Sequence, residues 1–133
     1  MSESSENVLT TWLTSLGGRV RRRKDGSLHT IDFSPSPQAV NQDVIQQLGE
    51  CRRLAVLLLP GAAVDDSAAP WLAQLEELTE LDLRHTLLTD AGLPYLRSLR
   101  KLKLLQLTGA SVTRDGVKAL RQTLLNCRIV FFD

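Results

Sequence analysis

The sequence predicts an α/β solenoid of about four stacked units of 24–26 residues, each contributing one short strand and one helix. Three observations lead there. The spacing L-x-x-L-x-L recurs at Leu54, Leu57 and Leu59, at Leu78, Leu81 and Leu83, and at Leu102, Leu105 and Leu107, with Leu28, Ile31 and Phe33 as an opening variant. The first residues of these sets stand 26, 24 and 24 residues apart, and a further step of 24 reaches Asn126, with Ile129 and Phe131 in the later apolar positions. Val64, Leu88 and Val112 each follow the first leucine of their unit by ten residues, with Val40 as the displaced equivalent in the first unit. A fixed period of this length marks units that cannot bury their apolar faces alone.

Bulk properties narrow the rest. A chain of 133 residues suits one domain with a real core, and 43% apolar content with 5% aromatic makes that core aliphatic. A net charge of +1 argues against a globally basic nucleic-acid binder and against an acidic scaffold. Cys51 and Cys127 are far apart, with no C-x-x-C and two histidines in the chain. That spacing gives no metal signature and calls for no cofactor; free thiols in a reducing compartment are expected. The start, MSESSENVLTTWL, has no positive region ahead of an apolar stretch, so no export signal is expected. The longest apolar run, 54–60, is strand-sized, far below the ~20 residues that span a bilayer. A soluble cytoplasmic protein is the expectation.

Taken in order, residues 1–5 are polar and expected to fray. Val8, Leu9, Trp12, Leu13 and Leu16 mark one face of a helix over 6–16, ended by Gly17 and Gly18. The run Arg19-Val20-Arg21-Arg22-Arg23-Lys24 followed by Asp25-Gly26 predicts a hairpin pairing 19–23 with 28–33 around a type I′ turn. Alternation places Arg19, Arg21 and Arg23 on one face and Val20 with Arg22 on the other. Arg19, Arg21, Arg22, Arg23 and Lys24 form a candidate anion-binding stripe for nucleic acid or an anionic surface. Without interleaved aromatics, a charged edge strand that discourages intermolecular pairing is the favoured reading. Helices are expected over 41–48, 66–75, 90–99 and 114–125, with Asn41, Asp65, Thr89 and Thr113 at or near their N-caps. Their inward residues are Ile45 and Leu48, Ala69 and Leu72, Leu93 and Leu96, and Val117 and Leu120. Pro70 falls near a first turn, and Pro94 is expected to shorten or distort its helix.

The third unit, with L-x-x-L-x-L followed by RHTLLTDAGLPYL, resembles the leucine-rich repeat, in the T-D-x-G-L variety also seen in cysteine-containing repeats. The fourth keeps Thr113, Gly116 and Val117 but has Arg114 in place of the Asp. With the early LGGRV, the DG turn and the late LLNCRIV, the chain is similar to short leucine-rich repeat proteins of bacteria, planctomycetes among them. The resemblance implies parallel strands on a concave face, helices on the convex face, residues 28–133 as repeats with a terminal strand, and residues 1–27 as an N-terminal cap of helix and first hairpin strand. One departure stands out. The ninth position, where that family places a hydrogen-bonding Asn, Cys or Thr, is Thr86 in the third unit but Ser36, Ala62 and Ala110 in the others.

Strand alternation sends the leucines inward and the residues between them to the concave face. The expected partner-binding residues are Val56, Leu58, Glu80, Asp82, Arg84, His85, Leu104, Gln106, Thr108, Arg128, Val130 and Phe132. Glu80 and Asp82 form an expected acidic centre between apolar neighbours. A face of this kind fits a protein or peptide better than a small molecule. The final strand, residues 128–133 from Arg128 to Asp133, is a second candidate surface, because an unpaired edge can template strand addition by a second copy. His85 near Asp82 and Arg84 lacks a nucleophile in a matching position, and no phosphate-binding or dinucleotide motif is present, so no catalysis is expected.

Overall fold

In the computed structural model of the protein, residues 3–132 are described. Met1 and Ser2 of the expected frayed segment, and Asp133 of the expected final strand, lie outside them. Helix α1 (Glu3–Ser15) begins earlier than the apolar pattern indicated. Leu9 and Leu13 are buried and Trp12 and Leu16 pack partly against the core, whereas Val8, expected on the same face, is 72% exposed. Leu9, Leu13 and Leu16 follow i, i+4, i+7, and that narrower stripe is the one the core meets; Val8 sits on its flank. The helix closes at Gly17, where φ is +95°, and the Gly18 amide donates to the Leu13 carbonyl at 3.0 Å.

Strands β1 (Arg19–Arg22) and β2 (Leu28–Asp32) pair antiparallel as a hairpin, each one residue shorter than expected. The turn is not type I′. Only Gly26 has positive φ, at +90°, while Asp25 does not. The Gly26 amide donates to the Arg23 carbonyl at 3.0 Å and the Arg23 amide to that of Ser27 at 2.9 Å, enclosing a three-residue loop. Asp25 Oδ1 accepts both the Ser27 amide (2.9 Å) and its hydroxyl (2.7 Å), a local bond that holds Asp25 out of the left-handed region a type I′ turn would require.

Beyond the hairpin, strand and helical segment alternate. The strands are β3 (Val56–Leu58), β4 (Glu80–Asp82), β5 (Leu104–Gln106) and β6 (Arg128–Val130). They extend a six-stranded sheet in sequential order, parallel from β2 to β6. Each step is in register: Thr30, Val56, Glu80, Leu104 and Arg128 are paired neighbours, as are Asp32, Leu58, Asp82, Gln106 and Val130. The helical segments are α2 (Gln42–Leu48), α3 (Ala69–Leu72) and α4 (Arg114–Arg121). Asp66–Ala68 leads into α3 as a 3₁₀ turn, and the segment expected as a helix over 90–99 is a 3₁₀ stretch, Leu93–Ser98. Pro70 and Pro94 lie in the first turns of α3 and of that 3₁₀ stretch, where their missing N–H and fixed φ curtail a regular α-helix. Helix α4 stops four residues short of the expected 125, as the chain turns back to reach β6 and leaves Leu125 81% exposed.

Burial follows the period. All L-x-x-L-x-L residues from Leu28 to Leu107 are at most 2% exposed, and they join Val40, Val64, Leu88 and Val112 and the eight expected inward helical residues in one cluster. A polar seam runs beside it. Asp66 accepts the Thr89 amide at 2.9 Å and the Thr89 hydroxyl; 24 residues on, Asp90 accepts the Thr113 amide at 2.8 Å and the Thr113 hydroxyl. Thr113 in turn caps α4 by accepting the Gly116 amide at 3.1 Å. Thr89, expected to cap a helix, instead accepts the Ala91 amide at 3.2 Å in the turn before the 3₁₀ stretch, whose N-cap is Gly92. The T-D-x-G spacing thereby has a physical reading. The Asp of one unit anchors the Thr of the next, and the Gly leaves room for that carboxylate, since a Cβ on Gly116 would overlap Asp90.

This geometry sets a sign reversal. Gly116→Ala is expected to destabilise the protein by about 1–3 kcal/mol, through overlap with Asp90. In an Asp90→Ala background the same change should be neutral or stabilising by up to about 1 kcal/mol, because alanine is the better helix former. Urea unfolding of the four proteins in this cycle checks it; additive effects would refute the steric account.

Candidate functional site

The sheet face opposite the helical segments is built by the residues that alternate with the buried leucines. Val56, Leu58, Glu80, Leu104, Gln106 and Val130 are half-buried there and Arg128 is exposed. Past the strand ends, Arg84 and Thr108 are half-buried, and Phe132 is 73% exposed. The Phe132 amide donates to the Thr108 hydroxyl at 3.2 Å, which ties the last described residue to the end of β5.

Asp82 departs from expectation. It is 2% exposed and belongs to an ion pair rather than to an acidic centre. Arg84 donates Nε to both carboxylate oxygens at 3.0 Å and Nη2 to Oδ2 at 2.7 Å, and its amide reaches Oδ1 at 3.0 Å. A carboxylate flanked by Leu58 and Gln106 loses water and is tolerated because these four contacts replace it. The same pairing raises the Arg84 pKa above its ordinary value, through the hydrogen bonds and charge of Asp82. Glu80 is the acid this part of the face presents.

His85 has φ of +57°, the one positive value outside glycine among the described residues. Gly61 and Gly109, at the same offset in the preceding and following units, have φ of +76° and +81°. Each of these three residues follows a strand where the chain must turn sharply. The His85 ring lies where a Cβ on Gly109 would be, so the second glycine supplies room as well as conformation. This position was legible in the sequence: a G–H–G series at intervals of 24 marks a left-handed slot filled once by a side chain.

The basic hairpin divides. Arg22 Nη2 donates to the Thr10 hydroxyl at 2.8 Å, and Arg23 donates to the carbonyls of Leu28 (3.0 Å) and Arg53 (2.9 Å). Both are therefore structural ties, contrary to the reading of all five as an anion-binding stripe. Arg53 closes the group by donating to Asp25 at 2.8 Å. Hydrogen bonds from Ser27 and then from Arg53 hold the Asp25 carboxyl well below the usual carboxylate range. Arg19, Arg21 and Lys24 stay exposed, with no hydrogen bond or ion pair among the described residues.

The expected edge at 128–133 is narrower than predicted. Strand β6 covers Arg128–Val130, and alternation turns the Ile129 carbonyl away from β5. Arg121 Nη2 donates to that carbonyl at 2.9 Å, so a strand-addition site is occupied by a side chain of α4. Cys51 is buried, and burial pushes the Cys127 thiol up, away from the thiolate form a nucleophile uses. Among the described residues no helix is long and apolar enough to cross a membrane.

No family model matches the chain, and no curated protein matches it by sequence. Among solved structures, a leucine-rich repeat protein of Leptospira interrogans aligns over 69% of this chain with a TM-score of 0.53 at 21% identity. The fold is leucine-rich-repeat-like. This chain spans 22% of the length of that leucine-rich repeat protein, so the likeness concerns the fold and not the whole molecule's activity. In leucine-rich-repeat terms, Thr86 at the ninth position is 3% exposed and donates to the Leu83 carbonyl at 2.8 Å, within its own unit. Asp66 and Asp90 are among the side chains that bond between units, with Thr79 donating to the Ala55 carbonyl at 3.1 Å and Ser98 to that of Ala73 at 3.0 Å.

Two consequences are measurable. His85→Gly should raise stability by about 1 kcal/mol, since it removes a left-handed non-glycine residue; an unchanged or lower urea midpoint would contradict the strain. The Asp25 pKa is lowered on folding, so its contribution is complete above the unfolded value of about 4 and is lost as pH falls through the folded one. Asp25→Asn should therefore flatten the acid side of the stability–pH curve and leave its slope at neutral pH unchanged.

Proposed function

We propose that the protein is a non-catalytic binding module that holds a protein or peptide partner on the open sheet face. In this reading about four leucine-rich repeats form a solenoid with that face concave, residues 28–133 carry the repeats, and residues 1–27 cap them. The observation that carries the reading is the composition of the face. Val56, Leu58, Leu104 and Val130 stand partly exposed among Glu80, Gln106 and Arg128, with Phe132 at the rim. Apolar side chains mixed with unpaired polar ones, on a surface that the protein's own helices leave uncovered, match the make-up of protein recognition surfaces. A cytoplasmic setting fits the two free thiols. Strand addition at β6 is the weaker reading, because Arg121 already occupies the Ile129 carbonyl.

Asp82 is too deeply buried to serve as a probe of binding. Leu58→Arg with Leu104→Arg changes half-exposed positions instead and should leave the circular dichroism spectrum intact. Partner recovery in a pull-down should fall by roughly tenfold or more, as expected when charge replaces apolar anchors. Full recovery by the folded variant would refute the assignment of this face.

A further inference from the structure

The register of the hairpin joins two surfaces that are far apart in sequence. Arg21 pairs with Thr30 and Arg19 with Asp32. Directly opposed residues of antiparallel strands point to the same side of a sheet. Thr30 and Asp32 begin the two rows that continue through Val56 and Leu58. Arg19 and Arg21 therefore belong to the open face, while Val20 packs against the core and Arg22 reaches α1. Asp32, the acid nearest to them in register, spends Oδ1 on the Ser34 amide at 2.8 Å and hydroxyl at 2.6 Å.

Reading one row across the sheet gives Arg21, Thr30, Val56, Glu80, Leu104 and Arg128. The charges at Arg21, Glu80 and Arg128 have no hydrogen bond or ion pair among the described residues. The row is thus cation, polar, apolar, anion, apolar, cation. Strands stand about 4.8 Å apart, so Arg21 and Glu80 are about 14 Å apart and Glu80 and Arg128 about 10 Å. We propose that this face recognises an acidic polypeptide segment that lies across the strands. Its carboxylates meet Arg19 and Arg21 at one end and Arg128 at the other, and two apolar side chains flanking a single cation settle against Val56, Leu104 and Glu80. Spanning the row takes about seven or eight extended residues at ~3.3 Å each. A nucleic acid fits poorly, because Glu80 and the apolar residues occupy the middle of the path where a phosphate backbone would run. This inference rests on the proposed binding role of the open face and specifies its partner.

Selection from a displayed library of random peptides, about twelve residues long, tests it with the full chain as bait. Enriched peptides are expected to be net acidic with an internal pair of apolar residues. Their affinity for the Arg19→Glu/Arg21→Glu variant should drop by roughly tenfold or more and should weaken as salt rises. Those two arginines are exposed and have no hydrogen bond or ion pair among the described residues, so the variant should keep the parent's circular dichroism spectrum; Arg19→Gln/Arg21→Gln provides a milder second reading. Peptides without acidic bias, or binding that ignores both arginine variants yet fails with Leu58→Arg, would overturn this inference and leave the open-face role standing. Binding that ignores Leu58→Arg as well, or no enrichment at all, would overturn both. Arginine-dependent binding of a single-stranded oligonucleotide, with no peptide selected, would reject a polypeptide partner.

Discussion

Ile31, Leu57, Leu81, Leu105 and Ile129 form a single file of inward side chains, one from each parallel strand, and at most 6% exposed. Everything else depends on that contact. Strands of three residues and helical segments of four to eight cannot persist alone, because nucleation costs more than so few hydrogen bonds return. Each fully buried leucine contributes on the order of 2 kcal/mol, but only when the neighbouring unit supplies the other wall. Stability in such an array is shared between neighbours, and the interval of 24 between units follows from the need to bring each leucine back beside the last.

The apolar file fixes which residues face inward, but it does so with non-directional forces. Directional bonds at the margins hold the units in place. Asp66 and Asp90 each tie their own unit to Thr89 and Thr113 of the next, and Gly92 and Gly116 lie over those carboxylates. At the N-terminal end Arg23, Arg53 and Asp25 fasten the hairpin to the second unit. The Asp82–Arg84 pair acts within one unit instead, neutralising a buried carboxylate inside the sheet face where an unpaired one would be costly.

These fixings leave a face whose free groups are few and separable from its structural ones. Arg22, Arg23 and Asp82 have charges used within the fold, whereas among the described residues Arg19, Arg21, Glu80 and Arg128 have no partner. The division matters for recognition, since only charges without an internal partner can offer one to another molecule without breaking the fold. His85 stands at the rim of the same face in a backbone conformation that its two counterparts reach as glycine.

How far the sequence reached is clear at particular residues. Its repeat of 24 to 26 residues was enough to name the buried L-x-x-L-x-L residues and the register of the five parallel strands, and residue type with helix pattern gave the capping roles of Asn41, Asp65 and Thr113, because these depend on spacing along one unit. Spacing was silent on which side chains pair, whether the partner lies two residues away or in another unit. It marked Asp82 as an exposed acid, although Arg84 folds back on it, and counted Arg23 as a free cation, although carbonyls 5 and 30 residues away take its donors. It read the hairpin as type I′ from Asp-Gly, where the bond from Ser27 to Asp25 selects another turn. Tertiary structure also decided the extent of the open face. The Asp-Gly turn predicts that β1 pairs with β2, but the register that sets Arg21 opposite Thr30 and Arg19 opposite Asp32, and so joins both to the open face, is fixed by hydrogen bonds across the sheet.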